Sequence, residues 1–170
     1  MWVKYIFIFF IFYFLAVLQN DFFAHFNLFG AIPNLVFVIF FMLIFFTKKR
    51  SYYEVFFYAI SAGLFLDFFS YTYFGVSIIS LLIIGFIVKK IQDMLQEKKN
   101  DKFPFVYFLP LFLGSLIVYN FLSSIFISKF YFGSVPGIIY NLLIACLAFF
   151  AFKKFLNLGF DDRQLNLFEK

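Results

Sequence analysis

The chain has 170 residues and a formal net charge of +5, yet only 14% of it is charged, while 65% is hydrophobic and 28% aromatic. A soluble domain keeps roughly a quarter of its residues charged. This sequence lacks the polar surface to cover a globule in water, and it reads as a membrane protein almost throughout. Its charges lie in short clusters between apolar runs, which argues against a nucleic-acid surface. One cysteine, Cys146, excludes an internal disulfide and a cysteine-based metal site.

Crossing the roughly 30 Å hydrocarbon layer takes about 20 residues, and six segments qualify. They predict an all-α membrane protein of six transmembrane helices, folded as a single integral membrane domain over residues 1–170. The first span, about Trp2–Leu18, has no small-x-small cleavage site and reads as an uncleaved helix. An aromatic connection follows, Gln19 to Gly30. Its Phe22, Phe23, Phe26 and Phe29 are expected in the interface, with Asn20, Asp21 and His25 in water. The remaining spans are about Ala31–Thr47, Tyr52–Phe69, Gly75–Val88, Phe103–Ile127 and Pro136–Phe152, with a short tail over 153–170. The fourth is short and the fifth long, so thinning or tilt must absorb the mismatch.

The connections alternate in character. KKR at 48–50, KKIQDMLQEKKNDK at 89–102 and KK at 153–154 fall on one side with Lys4 and the tail, which places 13 of the 14 Lys and Arg there. Lys129 alone lies opposite. The positive-inside rule then puts both termini in the cytoplasm, and anionic lipid is a second expected role for the basic clusters. Membrane lipid is the surrounding medium. The outer connections, QNDFFAHFNLFG, SYTYF and SKFYFGS, are too short to form an extracellular domain.

Few polar residues interrupt the spans. In the third, Ala59, Gly63 and Asp67 recur every four residues and share one face, with Ser70 three further on. Ala59 and Gly63 form a small-x-x-x-small stripe that lets a neighbouring helix approach closely. Asp67 continues that face in the outer third of the layer. Three readings stand for it: packing or helix-end capping, a partner contact, or ligand or proton handling. Asn120 with Ser124 in the fifth span, and Asn141 in the sixth, lie about 8–10 Å from the outer ends by the helical rise. They are expected to hydrogen-bond across the two helices. Asn34 and Ser77 lie near the outer starts of the second and fourth spans, so polar content gathers toward the outer leaflet. At the inner edge Glu54, four residues after Arg50, reads as an interfacial ion pair.

No catalytic constellation emerges, and no cofactor or metal is expected. There is a single His, His25, in a connection, and neither a His-Glu-x-x-His nor a phosphate-binding loop. An intramembrane aspartyl protease needs two buried acids at similar depth, whereas Asp67 alone lies within a span. The chain reads as a non-enzyme.

Several motifs carry a family resemblance. LQ at 18–19, AIPNLVFV at 31–38, GLFLDFFSYTYFGVSIISLLIIGFIVKKI at 63–91 and VPGIIYN at 135–141 resemble, in order and spacing, the rod shape-determining protein MreD family. The matched positions are Pro33, Asn34 and Leu35; Gly63, Leu64, Asp67 and Ser70; Gly75 and Gly85; and Pro136, Tyr140 and Asn141. Tyr71 and Thr72 depart from the pattern, where the family often has Gly and small residues. The resemblance implies a scaffold of bacterial wall elongation in the cytoplasmic membrane. It would dock an MreC-like partner and connect through it to MreB, RodA and a penicillin-binding transpeptidase, with no nucleic acid involved. It also implies the six-helix fold of the substrate-binding S components of energy-coupling-factor transporters, which makes a vitamin-transporter S component the alternative function. S components dock through Ala-x-x-x-Ala on the first helix; here that helix has Ala16 as its only small residue, which favours the scaffold. Partner or pocket contacts are expected from Asp67, Asn120, Asn141, Asn34 and Ser70, and helix packing from Ala59 and Gly63.

Overall fold

A computed structural model describes residues 2–26, 30–47, 52–70, 73–98, 105–127 and 135–159. Among them are six helices and no strand: α1 (Trp2–His25), α2 (Leu35–Phe46), α3 (Tyr52–Phe69), α4 (Val76–Lys98), α5 (Phe105–Ile127) and α6 (Val135–Gly159). Four of these, α1, α3, α5 and α6, are long and apolar enough to cross a membrane. The other two depart from the expected spans for separate reasons.

α2 has 12 residues, about 18 Å of helix, and is too short to span alone. It starts four residues later than expected because Ile32 precedes a proline, which disfavours helical backbone, and Asn34 then caps the helix. α2 is also the core of the fold. Val36, Phe37, Val38, Phe40, Phe41, Met42 and Ile44 are all at most 1% exposed. Its neighbours are α1, α3, α4 and α6, and α5 through the rings of Phe108 and Phe112 on Phe41, with centroids 5.6 and 5.2 Å away. With nine of its twelve residues buried in protein, α2 can be short and end in extended backbone without exposing that backbone to lipid.

α4 runs ten residues past the expected end at Val88, through residues 89–98 read as a connection. Its first polar residues there turn inward: Lys89 and Gln92 are 1% and 3% exposed. α1 likewise absorbs most of the expected first connection. Asn20 Nδ2 donates to Ala16 O at 2.8 Å, and His25 Nδ1 lies 2.7 Å from Asp21 O. Asn20 is therefore half-buried against its own helix and not free in water. Phe29, Arg50, Tyr71, Thr72, Lys129 and the tail from 160 lie outside the described residues, as does the whole connection SKFYFGS over 128–134.

α1 buries a stripe spaced by four, Ile8, Phe12 and Ala16, and leaves Phe7, Phe10 and Phe14 exposed. It runs parallel to α3, with Tyr5 on Phe57 and Phe9 on Phe65, each pair of centroids 4.8 Å apart. Glu54 pairs with Lys4 of α1, Nζ to Oε1 2.9 Å; the Arg50 partner expected from spacing lies outside the described residues.

Candidate functional site: two helix caps at one end of the bundle

α3 and α4 approach each other closely through Gly63. A Cβ added there would stand 2.5 Å from Ile78 Cα and 2.7 Å from Ile78 N, so the two backbones touch. That contact brings the last turn of α3 over the first turn of α4. The chain reverses between them through Gly75, whose φ of +101° is strained for any residue with a side chain.

Asp67 sits on the turn made by this reversal. Its Oδ2 accepts from Gly75 N at 2.8 Å and from Ile78 N at 3.5 Å, and its Oδ1 accepts from Ser77 N at 2.8 Å. The first turn of a helix has N–H groups with no partner inside the helix, and its dipole favours negative charge. Asp67 supplies both acceptor and charge from the neighbouring helix. At 4% exposure its carboxylate faces α4 and no open surface, which is the capping arrangement among the three readings. Ser70 is half-buried, and its Oγ donates to Asp67 O at 3.4 Å to close the end of α3.

From α4 the polar chain passes to α5, where Ser77 Oγ lies 3.2 Å from Tyr119 Oη. Ser123, one turn on, has a buried Oγ without a hydrogen-bond partner. Tyr119 also stacks beside Phe37 of α2, centroids 5.2 Å apart, which connects this network to a second one.

The second network caps α2. Asn34 Oδ1 accepts from Phe37 N at 2.9 Å, an ordinary N-cap bond. The N–H of Asn34 itself lies outside the helix and needs an acceptor in a protein interior. Asn141 of α6 provides it, with Asn34 N donating to Asn141 Oδ1 at 2.7 Å. Asn141 Nδ2 in turn donates to Gly137 O at 2.8 Å, which fixes the amide's orientation. The expected Asn120–Asn141 bridge is absent: the Asn141 amide accepts from Asn34 N and donates to Gly137 O within α6. Asn120 is half-buried, and its carbonyl accepts from Ser124 Oγ at 2.7 Å.

The opposite end of α2 is closed in the same way. Lys89 Nζ donates to Thr47 O at 2.8 Å and Gln92 Nε2 to Phe45 O at 3.2 Å. A cation beside the C-terminal carbonyls of a helix complements its dipole. Asp93 accepts from Tyr52 Oη at 3.1 Å.

Spacing alone did not point to Tyr119, Lys89 or Gln92. Tyr119 lies four residues before Ser123 on one face of α5, a signal hidden among many tyrosines. Lys89 and Gln92 looked like part of a basic connection. Among the described residues no group of three or more His, Cys, Asp or Glu could hold a metal ion. Among the described residues the arrangement places no nucleophile beside a base; its polar contacts cap helix ends, join α4 to α5 and α2 to α6, or close turns within one helix.

The residues that build both caps lie in the sequence motifs: Pro33–Asn34 opens α2, Gly63 and Asp67 hold α4, and Asn141 completes Asn34. No curated protein and no solved structure matches the chain significantly. The family model described as rod shape-determining protein MreD matches residues 2–158, nearly the whole chain including both caps. The chain therefore belongs to the MreD family of rod shape-determining proteins, membrane proteins of the rod shape complex.

Proposed function

We propose that this chain is a non-enzymatic scaffold of the wall-elongation complex in the bacterial cytoplasmic membrane, with both termini cytoplasmic. Its task is to hold an MreC-like partner's membrane helix or juxtamembrane segment, and through it MreB, RodA and a penicillin-binding transpeptidase. The observation that carries this reading is the Asp67 cap. Asp67 spends its carboxylate on holding the α3–α4 reversal in one shape, and the residues at that reversal, Tyr73 and Phe74, are 74% and 70% exposed. Two rigidly presented aromatic rings at the end of a bundle suit a protein contact better than a ligand site that must open. On this reading Asp67, Ser70, Asn34 and Asn141 act by positioning, and Asn120 lies beside them on α5.

The vitamin-transporter alternative is less well supported. Ala16 of the first helix is 1% exposed and packs within the chain, and Ala24, eight residues on, makes no Ala-x-x-x-Ala with it. Phe7, Phe10 and Phe14 occupy the outer face, where bulky rings hold a coupling helix away.

The test is co-purification of the MreC-like partner with Tyr73→Ser/Phe74→Ser, with Asp67→Leu, and with Leu147→Ser on the far face of α6 as control. Loss of partner and of rod shape in the first two, with the control intact, is the expected result. Full retention of both in the Tyr73/Phe74 variant would remove this surface from the interface.

A further inference from the structure

Where α1 and α3 begin, their side chains leave an apolar groove of about 420 Å³ lined by Tyr5, Ile6, Phe9, Tyr53 and Phe57. Its volume falls within the roughly 300–1,000 Å³ of small-molecule sites, and it opens sideways, toward the space that lipid fills. Ile6 is 56% and Tyr53 90% exposed, so the groove has a floor and walls from this chain and no cover. It is separate from the two caps, and nothing in the scaffold reading uses it.

What lies at the mouth identifies the occupant. Lys4 and Glu54, each next in sequence to a lining tyrosine, pair between the two helices, with Lys4 Nζ 5.9 Å from the centroid of the Tyr5 ring; the Lys4 side chain is 55% exposed and that of Glu54 only 19%. The lysine side chain is thus the more open of the two. α1 and α3 are parallel, so both start at this end. Their first-turn N–H groups and dipoles add positive potential there. The phenols Tyr5 and Tyr53 line the groove near its mouth, with ring bodies suited to hydrocarbon and hydroxyls suited to a head-group region.

From this the geometry points to a phospholipid site: one acyl chain of an anionic phospholipid lies in the Tyr5–Ile6–Phe9–Tyr53–Phe57 groove, with its phosphate against Lys4 and the paired starts of α1 and α3. The lipid belongs to the leaflet at which those helices begin. Its chain completes a helix pair that otherwise exposes a trough, and its head group carries the charge that Lys4 shows to solvent.

Trp2 is the sole tryptophan, so single-tryptophan reporters are simple to build. In a Trp2→Phe background, Phe57→Trp or Phe9→Trp reports from the groove, and Leu147→Trp, at a 71% exposed position on α6, reports from ordinary lipid-facing surface. Each full-length variant is reconstituted in vesicles mixing phosphatidylglycerol and phosphatidylcholine, with the acyl chains of one lipid or the other brominated to quench fluorescence. The expected result is a preference for phosphatidylglycerol at the groove about fivefold above that at position 147, the factor for one basic residue near an anionic head group. Lys4→Gln should bring the groove value down toward that of position 147. Equal preference at the groove and at position 147 would overturn the site, leaving only general attraction to a basic protein. A groove preference unchanged by Lys4→Gln would overturn the assignment of the head group. Having two groove reporters keeps the test valid if one of them does not fold.

Discussion

The side chain of Asn141 accepts the backbone N–H of Asn34 at 2.7 Å across 107 positions of sequence. The last helix thereby completes the entrance to the central one. α2 is buried and short, and the extended residues before it would leave an orphan donor inside the bundle. In low dielectric that donor costs more than the bond gains, so Asn141 matters chiefly for what its absence would expose.

Asn141→Leu therefore leaves the Asn34 N–H unpaired and also loses the Gly137 contact. The expected destabilisation is about 1–3 kcal/mol, the cost of one buried unsatisfied polar group. Asn120→Leu, at a half-buried position that bridges no other helix by its side chain, should stay within about 0.5 kcal/mol. Reversible unfolding in mixed detergent, both variants against the parent, measures this. Equal losses would show that Asn120 and Asn141 work as the pair the sequence suggested.

Asp67 allows a graded test. Asp67→Asn keeps one carbonyl oxygen but loses the charge, and its amide presents hydrogens to the donors of Gly75 or Ser77. A loss of about 1–2 kcal/mol is expected, in the range of a charge at a partly buried helix N-terminus. Asp67→Leu leaves the N–H groups of Gly75, Ser77 and Ile78 open and should cost more, about 3 kcal/mol or above, by the same penalty for buried unpaired donors. Hydrogen exchange at Gly75, Ser77 and Ile78 should rise in both variants, and most in Leu. Unchanged protection at those amides would mean that the cap is redundant.

How far these features were legible follows from what each rests on. Helical type came from apolar runs, and the Ala59–Gly63–Asp67 face came from spacing by four, which is local. The Asp67 partners are also local, eight to eleven residues on, and capping stood among the readings. The Asn34–Asn141 bond is not local, and Asn120 looked an equally good partner for Asn141. That α2 forms the protein core is not legible, because hydropathy does not distinguish burial in protein from burial in lipid. Lys89 was hidden for a different reason: a lysine after an apolar run normally marks the membrane edge, and only the position of α2 shows that this one turns inward.

Gly63 and Gly114 form a matched pair. A Cβ at 63 meets the Ile78 backbone at 2.5 Å, whereas at 114 nothing lies within 4 Å. Gly63→Ala must push α3 and α4 apart, and a cost of about 1–3 kcal/mol is expected, as for overpacking elsewhere. Gly114→Ala adds a methyl to an exposed helix position, where alanine is favoured by up to about 1 kcal/mol. It should be neutral or stabilising. The same unfolding assay compares them, and a large loss at 114 would reveal a neighbour packed there in the assembled protein.

Adjacent lysines on α4 should separate structure from topology. Lys89 is buried on the Thr47 carbonyl, while Lys90 is exposed, so one holds α2 and the other contributes charge to its side of the membrane. Lys89→Met keeps the stem's volume and removes the donor. It should lower stability by about 1–3 kcal/mol, the cost of an unpaired buried carbonyl together with the lost dipole complement. Lys90→Met should leave stability within about 0.5 kcal/mol, as for most surface changes. Each removes one of 14 basic residues, so reporter fusions at the termini should show unchanged orientation in both. Unfolding midpoints that fall equally, or not at all, would mean that the Lys89 ammonium does not close the end of α2.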